Sequence, residues 1–498
     1  MQKKIAVIIG SGVAGLAIAT RLAIQNIDVT VYEMNSYPGG KLSMFTKDGY
    51  QFDEGPSLFT QPDNIKDLFE VAGEPIEDYL IYRPVPIACK YFFESGIVIR
   101  AYTNATTFAK ELEEQTGEPG KNVIGYLKKA DNLYSNIGSI FLNYSLHKRA
   151  TWLHKRVIEA LKALKIAYLV NNLDKYNRQQ FQSPEATQIF NRFATYNGSN
   201  PYKAPAMLSV IPHLELNEGT FYPEGGMINI ANALYKLALK KGVKFEFDTP
   251  VQRIVHTDSN IQGVVVNGKN IFADIVVSNA DIYFTYKNLL RHQHKAKKIL
   301  KQERSSSAVI FYWGIKQEFP QLELHNIFFT NNYKEEFNHI FKAGKIYKDP
   351  TVYINITSKE ESAHAPAEKE NWFVMINVPA NTGQPWNDLV NDARNHIIGK
   401  LNRILQSDLK DLIESETILT PEGIELRTAS YQGSLYGSSS NSLMAAFVRQ
   451  PNFSSYIKNL YHCGGSVHPG GGIPLCLKSA QITAGIIKQD LEKQSKTH

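Results

Sequence analysis

Within the stretch His462 to Gly485, HCGGSVHPGGGIPLCLKSAQITAG, five glycines crowd positions 464–472: Gly464, Gly465, Gly470, Gly471 and Gly472, followed by Pro474. Such a cluster frees the backbone for a sharp turn or for close approach to a ligand; the alternative is a mobile surface loop. The residues that follow favour the ligand. Leu475, Ile482 and Ile486 predict a helix over 475–487, Pro474 suits its first turn, and Ser479, Ala480, Ala484 and Gly485 permit close packing. A glycine-rich loop entering a helix presents N–H groups and a positive dipole end to an electron-rich group.

The other end of the chain says what kind of ligand to expect. Ile5–Ile9 is an apolar run suited to a buried parallel strand, and GSGVAG then places Gly10, Gly12 and Gly15 in GxGxxG spacing around Val13 and Ala14. Leu16, Ala19 and Leu22 continue at helical spacing, Val29–Tyr32 makes a second strand, and Glu33 closes it. In this βαβ unit the glycines make the tight turn and admit a pyrophosphate, while the terminal carboxylate accepts from ribose hydroxyls. The chemistry implied is dinucleotide binding.

Between these ends lie further segments. MNSYPGGKL carries Gly39, Gly40 and Lys41, and GYQFDEGPS carries Gly55, Pro56 and Ser57. Alone, Gly39-Gly40 could be a tight turn and Lys41 a solvated charge. With Glu33, however, their spacing resembles the extended FAD signature of the amine oxidase and carotenoid desaturase superfamily. RFATYNGSNPYKAPA (192–206), FYPEGGMINIANAL (221–234), VQRIV (251–255), VVSNAD (276–281), GSLYGSSSNSLMAAFVRQPN (433–452) and NLYHCGGSVHPGGGIPL (459–475) are similar, in order, to segments of bacterial carotenoid desaturases of the phytoene desaturase type. The resemblance covers most of the chain. It implies FAD as cofactor, with contacts at Gly10, Gly12, Val13, Ala14, Gly15, Glu33, Gly39, Gly40, Lys41, Gly55, Pro56 and Ser57. It adds Val251, whose backbone would lie beside the adenine, and Gly465, His468, Gly471, Gly472 and Ile473 along the isoalloxazine ring. Within the family the likeness is to 3,4-desaturases of 1-hydroxylated carotenoids, with phytoene and diapophytoene desaturases, and more remotely flavin amine oxidases, as the alternatives.

The bulk properties agree. The 498 residues are 43% hydrophobic and 20% charged, the composition of an ordinary globular protein of two or three subdomains. No apolar run reaches the ~18 residues of a spanning helix, and the N-terminus lacks a signal-peptide pattern, which predicts a cytoplasmic protein that is free or lies on a membrane. Cys89, Cys463 and Cys476 give neither a disulfide framework nor a zinc spacing. Cys463 beside the glycine loop raises a covalent flavin link or, more simply, buried packing. A net charge of +6 is too small to argue for nucleic acid.

The motifs imply an α/β (α+β) fold whose Rossmann-like FAD domain is discontinuous, built from 1–75, 216–290 and 420–498. A mostly helical region (76–215) and a mixed-sheet substrate domain (291–419), with strands expected over 308–315 and 371–380, are inserted between its pieces. In the helical region Trp152 to Tyr168 reads as a basic amphipathic helix. Leu153, Val157, Ala160, Leu161, Leu164, Ala167 and Tyr168 fall on one face, and Lys155, Arg156, Lys162 and Lys165 supply the charge. It could lie in a headgroup layer as a membrane-facing surface, or pack as a surface helix on the core. A single GxGxxG stands in a strand–turn–helix context, so no second nucleotide site is legible for NAD(P)H. An oxidation of the substrate follows, with hydride passing to the flavin and then to an acceptor such as a quinone or oxygen. No catalytic side chain can be named; His468 and Lys41 are the groups that could reach the ring face.

Overall fold

The computed structural model describes residues 3–496 apart from 156, 160–164, 292–300, 443–444 and 446–448. Strand Ile5–Ile9 lies at the centre of a five-stranded parallel sheet, in the order Leu460–His462, Ile275–Ser278, Ile5–Ile9, Asp28–Tyr32, Lys244–Glu246. A parallel sheet must be covered on both faces, and the alternation of this strand shows how. Ala6 and Ile8 join Leu16, Ile18 and Leu22 of helix Val13–Ala23, Leu234 of helix Ile228–Lys240 and Ala480 of helix Ile473–Ser495. Val7 and Ile9 face the antiparallel sheet Val251–His256, Ile261–Val266, Lys269–Phe272 through Val251, Ile254 and Val264. The strands come from three separated stretches of sequence.

The second sheet has seven strands, in the order Ile413–Leu419, Ser307–Ile315, Glu370–Val378, Val352–Asn355, His325–Phe328, Ile87–Phe92, Val98–Tyr102. Its pairs are antiparallel except His325–Phe328 with Ile87–Phe92. One face packs Trp313, Trp372, Val374 and Ile376 against Val390, Ile397 and Leu401 of helix Trp386–Leu405. The opposite face carries Ile310, Tyr312 and Phe373 and meets Tyr50 and Phe52 of the hairpin Ser43–Lys47, Tyr50–Glu54. The helices Ala105–Thr116, Gly120–Leu133 and Pro184–Arg192 close around Phe108, Tyr126 and Phe190.

Three local expectations change. The segment 87–102, expected in a mostly helical region, supplies two strands of the second sheet: Val98–Tyr102 pairs with its neighbour Ile87–Phe92, which joins the sheet through His325–Phe328, more than two hundred positions away, a pairing that leaves no local trace. The C-terminal helix runs from Ile473 to Ser495, longer at both ends than 475–487, because Lys488, Asp490, Glu492 and Lys493 continue a helix-favouring polar turn. The basic stretch is not one amphipathic face: helix Arg149–Trp152 gives way to a turn at Leu153 and a bend at His154. Val157 and Tyr168 are buried while Leu153 is 80% exposed. Arg156, Ala160, Leu161, Lys162 and Leu164 lie outside the described residues. Among the described residues no helix is long and apolar enough to cross a membrane.

The hairpin and the second sheet meet at Gly314. A Cβ there would stand 2.4 Å from the ring of Tyr50, which is fully buried and donates to Glu414 Oε1 at 2.6 Å. Gly314→Ala is therefore expected to destabilise the fold by about 1–3 kcal/mol through overpacking, read as a lowered denaturant midpoint.

Candidate functional site

Helix Val13–Ala23 starts at the carboxyl end of the central strand, with Gly12 as its N-cap and no side chain capping it. Its first turn, Val13 and Ala14, thus offers N–H groups and a positive dipole end to an anion. A Cβ on Gly15 would lie 2.1 Å from the Gly10 carbonyl oxygen, so only glycine lets the helix enter so close to the loop. The paired glycines dock on this loop from the side. Gly39 N–H donates to Ser11 O at 2.9 Å, Gly12 and Gly39 pair as an isolated bridge, and a Cβ on Gly40 would sit 3.2 Å from Gly12 Cα.

Glu33 lies buried at the end of strand Asp28–Tyr32 and accepts four bonds: Oε2 from Ser11 N–H (2.7 Å) and Ser11 Oγ (2.8 Å), Oε1 from Asn35 N–H (2.9 Å) and Asn35 Nδ2 (3.0 Å). Two of these donors are side chains that ribose hydroxyls can replace, and two are backbone groups that would stay. The Glu33 carbonyl accepts from Thr249 N–H at 2.8 Å, which brings the start of strand Val251–His256 to the same place.

The C-terminal glycine loop approaches from across the sheet. Gly472 is the N-cap of Ile473–Ser495, has φ +103°, and has no side-chain cap; a Cβ there would meet no atom within 4 Å. A second uncapped helix start therefore opens onto free space. Beside it, a Cβ on Gly471 would stand 2.7 Å from the ring of Tyr436, and one on Gly465 would stand 3.1 Å from Gly471 Cα.

Asn279 joins the two loops and was not picked out as a site residue from sequence. Its Nδ2 lies 2.9 Å from where a Gly12 Cβ would be, and its Oδ1 lies 2.8 Å from a Cβ on Gly464. The signal was present in VVSNAD: Asn279 follows Ser278 at the carboxyl end of the strand between Ile5–Ile9 and Leu460–His462, where parallel sheets hold ligands.

Lys41 and His468 have structural partners. Lys41 Nζ donates to the carbonyls of Leu435 (2.8 Å) and Ser434 (3.3 Å) and ties the Gly39–Lys41 turn to the segment bearing Tyr436. Burial lowers the Lys41 pKa, while Asp281 opposes that shift. A Cβ on Gly55 would lie 2.1 Å from the Lys41 carbonyl, so Gly55 and Pro56 adjoin this turn, and Ser57 Oγ reaches Tyr353 OH at 2.7 Å. His468 Nε2 donates to the Tyr144 carbonyl at 2.9 Å, and burial pushes its pKa down to about 4, so it is a neutral anchor to the helical region. Cys463 is buried with its thiol pKa well above the usual range, which keeps it protonated and unreactive.

Contacts thus run from the fingerprint loop through Gly39–Lys41 to Gly55–Ser57, and through Asn279 and Tyr436 to Gly465–Ile473. The residues fit a dinucleotide: two uncapped helix starts, an acidic ribose receiver, and open space at Gly472.

The pattern of the family described as flavin containing amine oxidoreductase matches residues 13–335. A 1-hydroxycarotenoid 3,4-desaturase from a Flavobacterium species is 49% identical over 97% of this chain and 99% of its own. A 4,4'-diapolycopene oxygenase from a Methylomonas species is 32% identical over 98% of each chain, and a 4,4'-diaponeurosporene oxygenase from Staphylococcus aureus is 32% identical over 98% of this chain and 99% of its own. Among solved structures, an oxidoreductase from Methanosarcina mazei superposes with TM-score 0.64 at 14% identity, covering 97% of this chain and all of its own. Putrescine oxidase superposes at 0.62 and 15%, covering 98% of this chain and 99% of its own, a likeness of fold.

Gly12→Val would push a branched side chain into Asn279 and the mouth of the phosphate turn. Flavin retained through gel filtration, read as the ratio of flavin to protein absorbance, is expected to fall at least about tenfold.

Proposed function

As a member of the flavin containing amine oxidoreductase family, the chain is an FAD-dependent oxidoreductase, and we propose that it desaturates a carotenoid, inserting the 3,4 double bond of a 1-hydroxylated substrate. The observation that carries this reading is the end-to-end 49% identity to a desaturase of that name, with the dinucleotide cradle intact. Bound FAD supplies an acceptor for a hydride. The substrate loses a hydride from one allylic carbon and a proton from its neighbour, the new double bond forms between them, and conjugation spreads the transient positive charge along the polyene. The chain's part is placement. The uncapped starts at Gly12 and Gly472 would hold the cofactor, and the sheet face on which Met375 is part-exposed, backed by buried Ile310, Tyr312 and Phe373, offers an apolar wall to a hydrocarbon chain. The relatives named as oxygenases favour one alternative, oxidation that ends in a carbon–oxygen bond; the product separates the two.

Anaerobic mixing of holoenzyme with a 1-hydroxylated carotenoid is expected to bleach the oxidised flavin spectrum without NAD(P)H. A strict requirement for NAD(P)H would count against direct oxidation.

The same reading places the entrance for so insoluble a substrate at a lipid surface. Trp152, Leu153, Ile158, Ile166 and Val170 are exposed, Leu153 by 80% and Ile166 by 73%, and Lys155 and Lys165 are exposed beside them. Apolar side chains flanked by lysines suit the boundary of an anionic bilayer, where the protein would lie as a peripheral protein. Leu153→Asp combined with Ile166→Asp is expected to weaken binding to phosphatidylserine vesicles by about fivefold or more, with FAD content and melting temperature retained. Undiminished binding would move the contact elsewhere.

A further inference from the structure

The wall of the second sheet is not uniformly apolar. Cross-strand pairing fixes which residues share its inner face, because directly paired residues point the same way. One row runs Tyr91, Ile327, Tyr353, Met375, Ile310, Leu419, and the next runs His325, Asn355, Phe373, Tyr312, Thr417. Towards strand Ser307–Ile315 the face is apolar and aromatic. Towards strand Ile87–Phe92 it turns polar at Tyr353, His325 and Asn355, and Ser57 reaches this corner from the loop after Glu54.

The bonds in that corner have a direction that the geometry settles. Asn355 Nδ2 donates to the Leu324 carbonyl at 3.1 Å, which fixes the orientation of its amide, and the same nitrogen stands 3.2 Å from His325 Nδ1. Nδ1 must then accept, so His325 carries its proton on Nε2, an atom with no partner among the described residues. Tyr353 OH, 2.8 Å from the unprotonated Nδ1, then donates to it, the shorter arm of a three-centre bond in which Asn355 Nδ2 shares the one lone pair. Ser57 Oγ, 2.7 Å from Tyr353 OH, must donate to the phenol in turn. The hydroxyl protons of Ser57 and Tyr353 both point towards His325, and among the described residues no donor reaches the lone pairs of Ser57 Oγ at the end of the chain. Ser57 and Tyr353 are only partly buried, as are Met375 and Asn377 further along the same face, whereas His325 and Asn355 behind them are buried. Burial also keeps His325 neutral, with its pKa down at about 3, so the direction holds across physiological pH.

We propose that Ser57 Oγ accepts the terminal O–H of the substrate, with Tyr353 and His325 as positioning residues that keep its lone pairs open, and so selects hydroxylated over unhydroxylated carotenoid ends. This rests on the carotenoid reading above. Two features tie the corner to the reaction. In a substrate bearing its hydroxyl on carbon 1, that oxygen is only two carbons from the bond to be oxidised, so its receiver must stand close to the flavin. Ser57 satisfies this condition: it follows Gly55, which packs on Lys41 beside the cofactor loops. An acceptor also discriminates chemically, since neither a methyl group nor an ether oxygen can donate to it.

The test uses holoenzyme and three carotenoids of one chain length whose end carries a hydroxyl, its methyl ether, or no oxygen. Wild type is expected to prefer the alcohol, with the ether treated like the unoxygenated chain. Ser57→Ala and Tyr353→Phe should each lower the ratio of kcat/KM for alcohol over unoxygenated chain by about tenfold, chiefly through KM on the alcohol, and Ser57→Thr should restore it. Equal loss on all substrates, an unchanged ratio, or an ether used as well as the alcohol would overturn the assignment. Wild type that oxidises alcohol and unoxygenated chain alike overturns this inference alone. Wild type that oxidises none of the three overturns the carotenoid reading and the inference with it.

Discussion

A helix start without a side-chain cap leaves N–H groups whose acceptor must come from elsewhere, and two such starts, at Gly12 and Gly472, face the carboxyl edge of one parallel sheet. Much of the rest of the structure serves to hold them there. Glu33 grips the first loop through Ser11 and Asn35, Gly39 docks on Ser11, and Asn279 fills the gap between Gly12 and Gly464. Lys41 then links this assembly to the segment that carries Tyr436, against which Gly471 packs. Around the fingerprint loop itself the contacts are made by backbone groups or short polar side chains on backbone and on Glu33; only the link through Lys41 and Tyr436 uses larger ones. That is why the motifs are rich in glycine, serine and asparagine: a larger residue would fill the space a cofactor needs.

This half of the protein was legible because its constraints are local. The run Ile5–Ile9, the glycine spacing and the acid at position 33 lie within one βαβ unit, and each reports a steric demand of the loop it forms. The resemblance in motifs extended that reading to FAD and a carotenoid substrate. The parts that stayed hidden depend on partners far away in sequence. Strand Ile87–Phe92 acquires its role only through His325–Phe328, and the polar corner needs Ser57, His325 and Tyr353 from three separate segments. Asn279 was visible within a motif, but its place between two loops follows from strand order. The basic stretch misled because helical periodicity was projected through Leu153 and His154, where the chain turns.

The two sheets divide the work. The parallel sheet carries at its carboxyl edge two helix starts whose N–H groups have no side-chain cap and would receive the cofactor in the proposed function. The seven-stranded sheet supplies a face that is apolar over most of its width and polar at one corner, the pattern a long hydrocarbon with an oxygenated end would match. Charged groups buried near that corner are paired among themselves, Arg192 with Glu215 at 2.8 Å and with Tyr91 OH at 2.7 Å, so they add order to the wall without presenting a free charge to an apolar ligand.

The central claim, that this enzyme removes hydrogen from a carotenoid, is tested most directly by the mass of its product. Cells making a defined 1-hydroxylated carotenoid and expressing this chain should accumulate a pigment lighter by two hydrogens, with its new double bond at the 3,4 position and no added oxygen. A product that has instead gained oxygen, or an unaltered carotenoid in the presence of FAD-loaded protein, would contradict the account.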